Sequence, residues 1–160
     1  ARRRLVAVLA PVRRRNDIDG VQARSIIDGL VDSGELEAVT VDGVSYLLPS
    51  GRAPRAQPRD RVHILAPFDP LIWDRQRFEH FWGWCYKFEA YTPKAKRVRG
   101  YYAMPLLWRD EVIGWANISG EADELDVELG FVDKRPRSRD FRIELEAEVE
   151  RMRTFLRPRP

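Results

Sequence analysis

Residues 91–102, YTPKAKRVRGYY, place Lys94, Lys96, Arg97 and Arg99 in one short stretch flanked by Tyr91, Tyr101 and Tyr102. Cations at that density suit a polyanion, because each can neutralise a phosphate and release condensed counterions. The rings beside them can stack on an unpaired or distorted base. The competing expectation is structural: Tyr102 and Met104 belong to a sheet core with Tyr101 outside it, so that at least one of the two tyrosines is plain core. Two further basic blocks occur, Arg2, Arg3 and Arg4 with Arg13, Arg14 and Arg15, and Arg52, Arg55 and Arg59 with Arg61. Acidic residues gather instead at residues 121–128 and along the C-terminal segment. A solvated surface accounts for any one cluster; three of them, beside a winged-helix pattern, point to nucleic acid, with double-stranded DNA as the expected partner.

Other chemistry finds less support. Asp69 and Asp74 bracket PLIW and could divide acid and base roles if buried in one cleft. Aspartate before Pro70 also starts a turn, and Asp74 is well placed to cap a helix beginning near Arg75, a role that needs no catalysis. His63, His80 and Cys85 lack ligand spacing, so no metal is expected. Cys85, within an aromatic run, is expected to be a small buried residue rather than a nucleophile. No glycine-rich phosphate loop and no serine nucleophile elbow occurs, so no cofactor is expected either.

The elements that must hold these residues follow from periodicity. Val21, Ile26, Ile27, Leu30 and Val31 recur at helical spacing, with Gly34 as a stop. ELEAVTVDGVSYLL then reads as two short strands around Asp42-Gly43, a tight hairpin pair. Helix, strand, turn and strand form the closing half of a winged helix-turn-helix, whose helix would be the recognition helix. Residues 5–12 are a candidate earlier helix, ended or kinked by Pro11. Residues 49–61, rich in proline and arginine, read as an extended basic linker. The expected division is therefore an incomplete winged helix at 1–48, the linker, and an α+β domain at 62–160.

In that domain, residues 62–65 are a first strand, and DRQRFEHFW is a short helix with Phe78, Phe81 and Trp82 on one side. A hairpin turns at Arg109-Asp110-Glu111. Leu125, Val127, Leu129 and Phe131 alternate with Asp126 and Glu128, the pattern of a half-solvated antiparallel strand. Phe141, Leu145, Val149, Met152 and Leu156 mark an amphipathic closing helix that packs on the sheet, with Glu144, Glu148 and Arg151 on its wet face. The fold class is α+β: a partial winged helix-turn-helix followed by a small antiparallel β-rich domain with a C-terminal packing helix.

The totals agree with a folded chain. Of 160 residues, 44% are hydrophobic and 33% charged, and seventeen aromatics (Trp 5, Tyr 5, Phe 7) can bury enough apolar area to exclude global disorder. Net charge is only +3, so its placement matters more than its sum. One cysteine excludes an internal disulfide framework and fits a reducing cytoplasm. No apolar run reaches the roughly 18 residues of a bilayer span. The opening ARRRLVAVLAPVRRR runs into Arg13, Arg14 and Arg15 rather than a cleavage site, so neither secretion nor membrane contact is expected. With Ala1 rather than methionine first, the expectation is a processed chain or a piece of a longer one.

PFDPLIWDR, YTPKAKRVRGYY, PLLW and GWANI, with DSGELEAVTVDGVSYL before them, resemble the C-terminal part of the crosslink-repair DNA glycosylase family of the YcaQ/AlkZ type. The likeness spans most of the chain from about Gly20 onward. It implies tandem winged helices and a β-rich domain building a concave DNA surface, with metal-independent hydrolysis of the N-glycosidic bond of alkylated or crosslinked purines. The family's catalytic feature is a Gln-x-Gln or Gln-x-Asp pair. Gln22, Gln57 and Gln76 are the chain's glutamines and none is so spaced, so no catalytic residue carries over. The expected function is the DNA-binding C-terminal portion of such a repair protein, completed by a missing N-terminal segment. Lys94, Lys96, Arg97 and Arg99 would grip phosphate, with Tyr101, Arg75, Arg13, Arg14 and Arg15 adding contacts. The alternatives are a stand-alone winged-helix regulator and a protein–protein scaffold; an autonomous enzyme built on Asp69 and Asp74 ranks last.

Overall fold

A computed structural model describes residues 19–51, 59–122 and 124–157. Arg2, Arg3, Arg4, Arg13, Arg14, Arg15, the apolar run 5–12, Arg52 and Arg55 lie outside the described residues. The chain divides into two compact units, residues 1–57 and residues 58–160.

The first unit contains helix α1 (Gly20–Asp32) and an antiparallel hairpin of β1 (Leu36–Val41) and β2 (Val44–Pro49). Asp19 caps α1 by accepting from the Val21 and Gln22 amides at 2.7 and 2.8 Å, and Gln22 Oε1 accepts from the Asp19 amide at 3.0 Å. That reciprocal box satisfies donors that the first helical turn leaves free. The buried stripe of α1 runs through Ala23 and Ile27, whereas Val21 and Ile26 are exposed. Asp42 (φ 46°) and Gly43 (φ 76°) both adopt the left-handed conformation, which turns the hairpin with the twist of its strands. Tyr46 of β2 is buried.

The second unit is built on a four-stranded antiparallel sheet in chain order: β3 (Val62–Ile64), β4 (Met104–Trp108), β5 (Glu111–Ser119) and β6 (Asp126–Phe131). Arg109, at φ 58°, turns β4 into β5. Between β3 and β4 come helices α2 (Pro70–Trp73) and α3 (Arg75–Trp82), then a long irregular segment. Helix α4 (Arg139–Leu156) closes the chain.

The sheet separates two cores. Val62, Leu106 and Trp108 pack with Phe141 and Leu145 of α4. On the other side Val112 packs with Ile72, Phe78, Trp84 and Tyr86. The inner strands are consequently covered on both faces, with one side of β5 half-buried at Ile113, Trp115 and Asn117, whereas edge strand β6 keeps exposed Asp126 and Glu128 alternating with half-buried Val127 and Leu129. On α3, Phe78 is buried and Trp82 half-buried, but Phe81 is exposed, contrary to the shared side expected of the three.

Glu148 also departs from expectation. Instead of lying on the wet face of α4 it is 8% exposed. Strand β3 pairs with β4 along one edge only, and its other edge would leave backbone groups without partners. Glu148 Oε1 accepts from the Ile64 amide at 2.8 Å, and Arg151 donates to the Val62 carbonyl at 3.2 Å and to Glu148 at 2.8 Å. The helix thus completes the strand edge with side chains. Glu148→Ala removes the acceptor for a part-buried amide and should lower the unfolding free energy by about 1–3 kcal/mol. Glu148→Gln keeps an acceptor and should lose less; denaturant titration of the two variants checks the order.

Candidate nucleic-acid interface

The irregular segment between α3 and β4 carries the basic stretch, and its conformation starts at the end of α3. Gly83, left-handed at φ 70°, ends the helix and donates to the Glu79 carbonyl at 2.8 Å. The chain then runs extended, so that Trp84 and Tyr86 point inward while Cys85 between them is exposed. That alternation corrects the expectation of a buried cysteine. Trp84 Nε1 donates to the Val112 carbonyl at 2.8 Å, and the Tyr86 hydroxyl donates to the Ala103 carbonyl at 2.7 Å. Burial, opposed by the charge of Arg75, pushes the Tyr86 phenol up to about 12, so it remains a neutral donor.

Glu89 shapes the chain beyond this point. It is 3% exposed, and its carboxylate lies within hydrogen-bond reach of three successive backbone amides. Oε2 accepts from Val98 at 2.9 Å, Arg99 at 2.8 Å and Gly100 at 3.2 Å. Successive amides converging on one anion form a backbone nest, here filled by the protein's own side chain. Burial alone would raise the Glu89 pKa, but the donors at Arg99, Val98 and Gly100 and the Arg99 charge pull it below the ordinary carboxylate value. Gly100, at φ 133°, has its open side against Asn117, where a Cβ would collide with the amide group. Asn117 in turn donates to the Arg99 carbonyl at 2.7 Å.

Residues 92–97 are thereby arched into a turn. Thr92 donates to the Glu89 carbonyl, and Pro93 opens a single 3₁₀ turn over Lys94–Lys96. Lys94 and Lys96 are exposed. Arg97 is half-buried, donating through Nε to the Thr92 carbonyl at 2.8 Å, with its guanidinium 4.8 Å from the Tyr101 ring centroid. Arg99 faces inward, between Trp84 at 5.1 Å and Trp115 at 5.4 Å. Trp115 itself packs closely on Gly130, where a Cβ would strike the indole. Arg75 is likewise committed, to the Tyr86 carbonyl at 2.6 Å and to the Tyr86 ring at 4.7 Å.

The cations grouped by sequence therefore differ in role. Lys94 and Lys96 face solvent, Arg97 braces the turn, and Arg99 and Arg75 support it from within. Tyr101 and Tyr102 are 59% and 45% exposed, so neither is plain core. The turn at Gly100 carries both outside before β4 begins at Met104, and Ala103, fully buried, takes the inward position. Asp69 and Asp74 cap short helices, accepting from the Leu71 and Arg77 amides at 2.8 and 3.0 Å. A cavity of about 630 Å³ walled by Phe81, Trp82, Trp84 and Trp108 contains neither aspartate. Glu89 and its nest had no signal in the sequence beyond a lone carboxylate in an aromatic run.

The architecture defines an α+β protein carrying a braced basic loop. A family model described as DNA glycosylase AlkZ-like matches residues 6–155. The chain belongs to that family, and is a protein related to DNA-repair glycosylases, with DNA as the family's partner. No solved structure matches it.

Because the folded Glu89 pKa lies below its free value of 4.5, the nest is fully formed above that value and loosens as pH falls through the depressed pKa. Hydrogen exchange at Val98, Arg99 and Gly100 should show protection at neutral pH that disappears in acid. In Glu89→Gln the same amides should be weakly protected at both, with no such titration.

Proposed function

We propose that this chain is the DNA-gripping C-terminal portion of a glycosylase that removes alkylated or crosslinked purines. The observation that carries the reading is the Glu89-centred nest, which holds Lys94 and Lys96 outward on a fixed turn. A mobile lysine surface must be ordered on meeting phosphate, and a preformed turn avoids most of that entropic cost. Family membership supplies the polyanion as DNA. No Gln-x-Gln or Gln-x-Asp pair occurs among Gln22, Gln57 and Gln76, so the chain contributes binding rather than the bond-breaking step.

In this reading α1 and the β1–β2 hairpin are the recognition helix and wing of a winged helix, on a domain division of 1–48, a basic linker at 49–61, and 62–160. Arg13, Arg14 and Arg15, which lie outside the described residues, are assigned as further phosphate contacts on their charge alone. In the second domain Lys94 and Lys96 are the primary contacts, Arg97 and Tyr101 border them, and Arg99 and Arg75 hold the frame. Binding by such a surface is governed by phosphate charge and is salt-dependent. Lys94→Ala with Lys96→Ala should weaken duplex binding about equally across sequences. It should also reduce the dependence of log affinity on log salt by about 0.9 for each phosphate no longer neutralised. Anisotropy titrations at several salt concentrations check this. An unchanged slope contradicts the loop as the phosphate contact, and a marked preference for one duplex sequence would favour the stand-alone regulator instead.

A further inference from the structure

Next to the lysines lies a group of rings that phosphate binding does not use. Phe88 is half-buried and rooted in the core with Phe78 and Trp84. Three rings meet it edge-to-face: Phe68 at 5.4 Å, Tyr91 at 6.3 Å and Tyr102 at 5.0 Å. These outer rings are exposed, Phe68 by 66%, Tyr91 by 92% and Tyr102 by 45%. Leaving three aromatic side chains in water around one anchored ring marks a binding surface rather than a core. Their arrangement is fixed from below, since Phe88 stands two residues after Tyr86, whose hydroxyl is tied to Ala103, and directly before Glu89.

The charge around the rings selects the occupant. Residues 90–109 contain no aspartate or glutamate, and Glu89 is buried with its charge engaged by backbone amides. Lys94 and Lys96 are exposed within a few residues of Tyr91. A surface that offers rings and cations together, with no exposed carboxylate in the segment, fits a ligand with flat faces and a negative backbone. An intact duplex shows only its phosphates and base edges, its base faces being covered by stacking. Unpaired nucleotides show both phosphate and base face, and aromatic side chains beside a basic track are the usual means of holding them. Tyr101 is set apart from this role, because the Arg97 guanidinium already covers one face of its ring.

We infer that Phe68, Tyr91 and Tyr102, arrayed around Phe88, form a stacking platform for unpaired bases, so that the protein prefers DNA with extrahelical or single-stranded nucleotides over intact duplex. This rests on the reading of the same loop as a DNA contact. Lys94 and Lys96 hold the backbone, and the rings distinguish a disrupted site from an intact one.

The test uses the full chain with three DNAs: an intact duplex, the same duplex carrying a bulge of unpaired thymines, and the thymine-containing strand alone. The wild-type protein should bind the bulged duplex about tenfold more tightly than the intact one, the order of one stacked base. Tyr91→Ala with Tyr102→Ala should bring the bulged affinity down to the duplex value, whereas Tyr91→Phe with Tyr102→Phe should keep the preference. A thermal melt of each variant shows whether it is folded, and Tyr91→Ala alone, at a nearly fully exposed site, should melt like wild type and still lose part of the preference. Equal wild-type affinity for bulged and intact duplex overturns the platform while leaving the phosphate-binding loop standing. So does a preference that survives loss of both tyrosines. Binding to none of the DNAs, or binding to all of them that Lys94→Ala with Lys96→Ala leaves untouched, overturns the loop as a DNA contact and the platform with it.

Discussion

A single carboxylate, Glu89, held inside the protein by three consecutive amides, is the interaction on which the basic loop depends. A buried charge is tolerated only when fully hydrogen-bonded, and here the donors belong to the segment that the charge must shape. The arrangement is mutual: the nest bends because the anion is there, and the anion stays buried because the nest surrounds it. Around this centre lie the Trp84–Arg99–Trp115 stack and the Tyr86 tie to Ala103. They fix the outer ends of the loop to the sheet. The exposed lysines are therefore presented by a structure whose cohesion lies beneath them.

The sheet offers a second instance of side chains completing backbone. Strand β3 is short and at an edge, and the pair Glu148–Arg151 on α4 supplies the partners that another strand would otherwise provide. This leaves the opposite face of the sheet free to take α2, α3 and the loop-bearing segment. The two cores thus divide the work: one anchors the closing helix, the other carries the candidate DNA surface.

Much of this frame is legible in residue patterns. The Asp42-Gly43 turn, the Asp74 cap, the alternation along β6 and the 3–4 spacing on α4 are local signals, and each corresponds to an observed element. The departures have a common physical cause. Charge on an amphipathic helix ordinarily faces solvent, and only the unpaired edge of β3, distant in sequence, explains the burial of Glu148. The exposure of Cys85 and of the two tyrosines depends on where an irregular strand-like segment turns, which periodicity does not specify. Glu89 bonds to amides nine to eleven residues away, and backbone donors carry no residue-type signature at all. The basic cluster is visible in the sequence, but the difference between outward Lys94 and Lys96 and inward Arg99 arises only from the packed indoles.

The most direct measurement is a backbone amide chemical-shift map of the protein titrated with duplex DNA at low salt. If the Glu89-braced loop is the contact surface, the amides of Tyr91 and of residues 94–97 shift on addition of DNA, while those of Val98, Arg99 and Gly100 remain protected from exchange. Shifts confined to other surfaces, with residues 91–97 unmoved at saturation, would contradict the account.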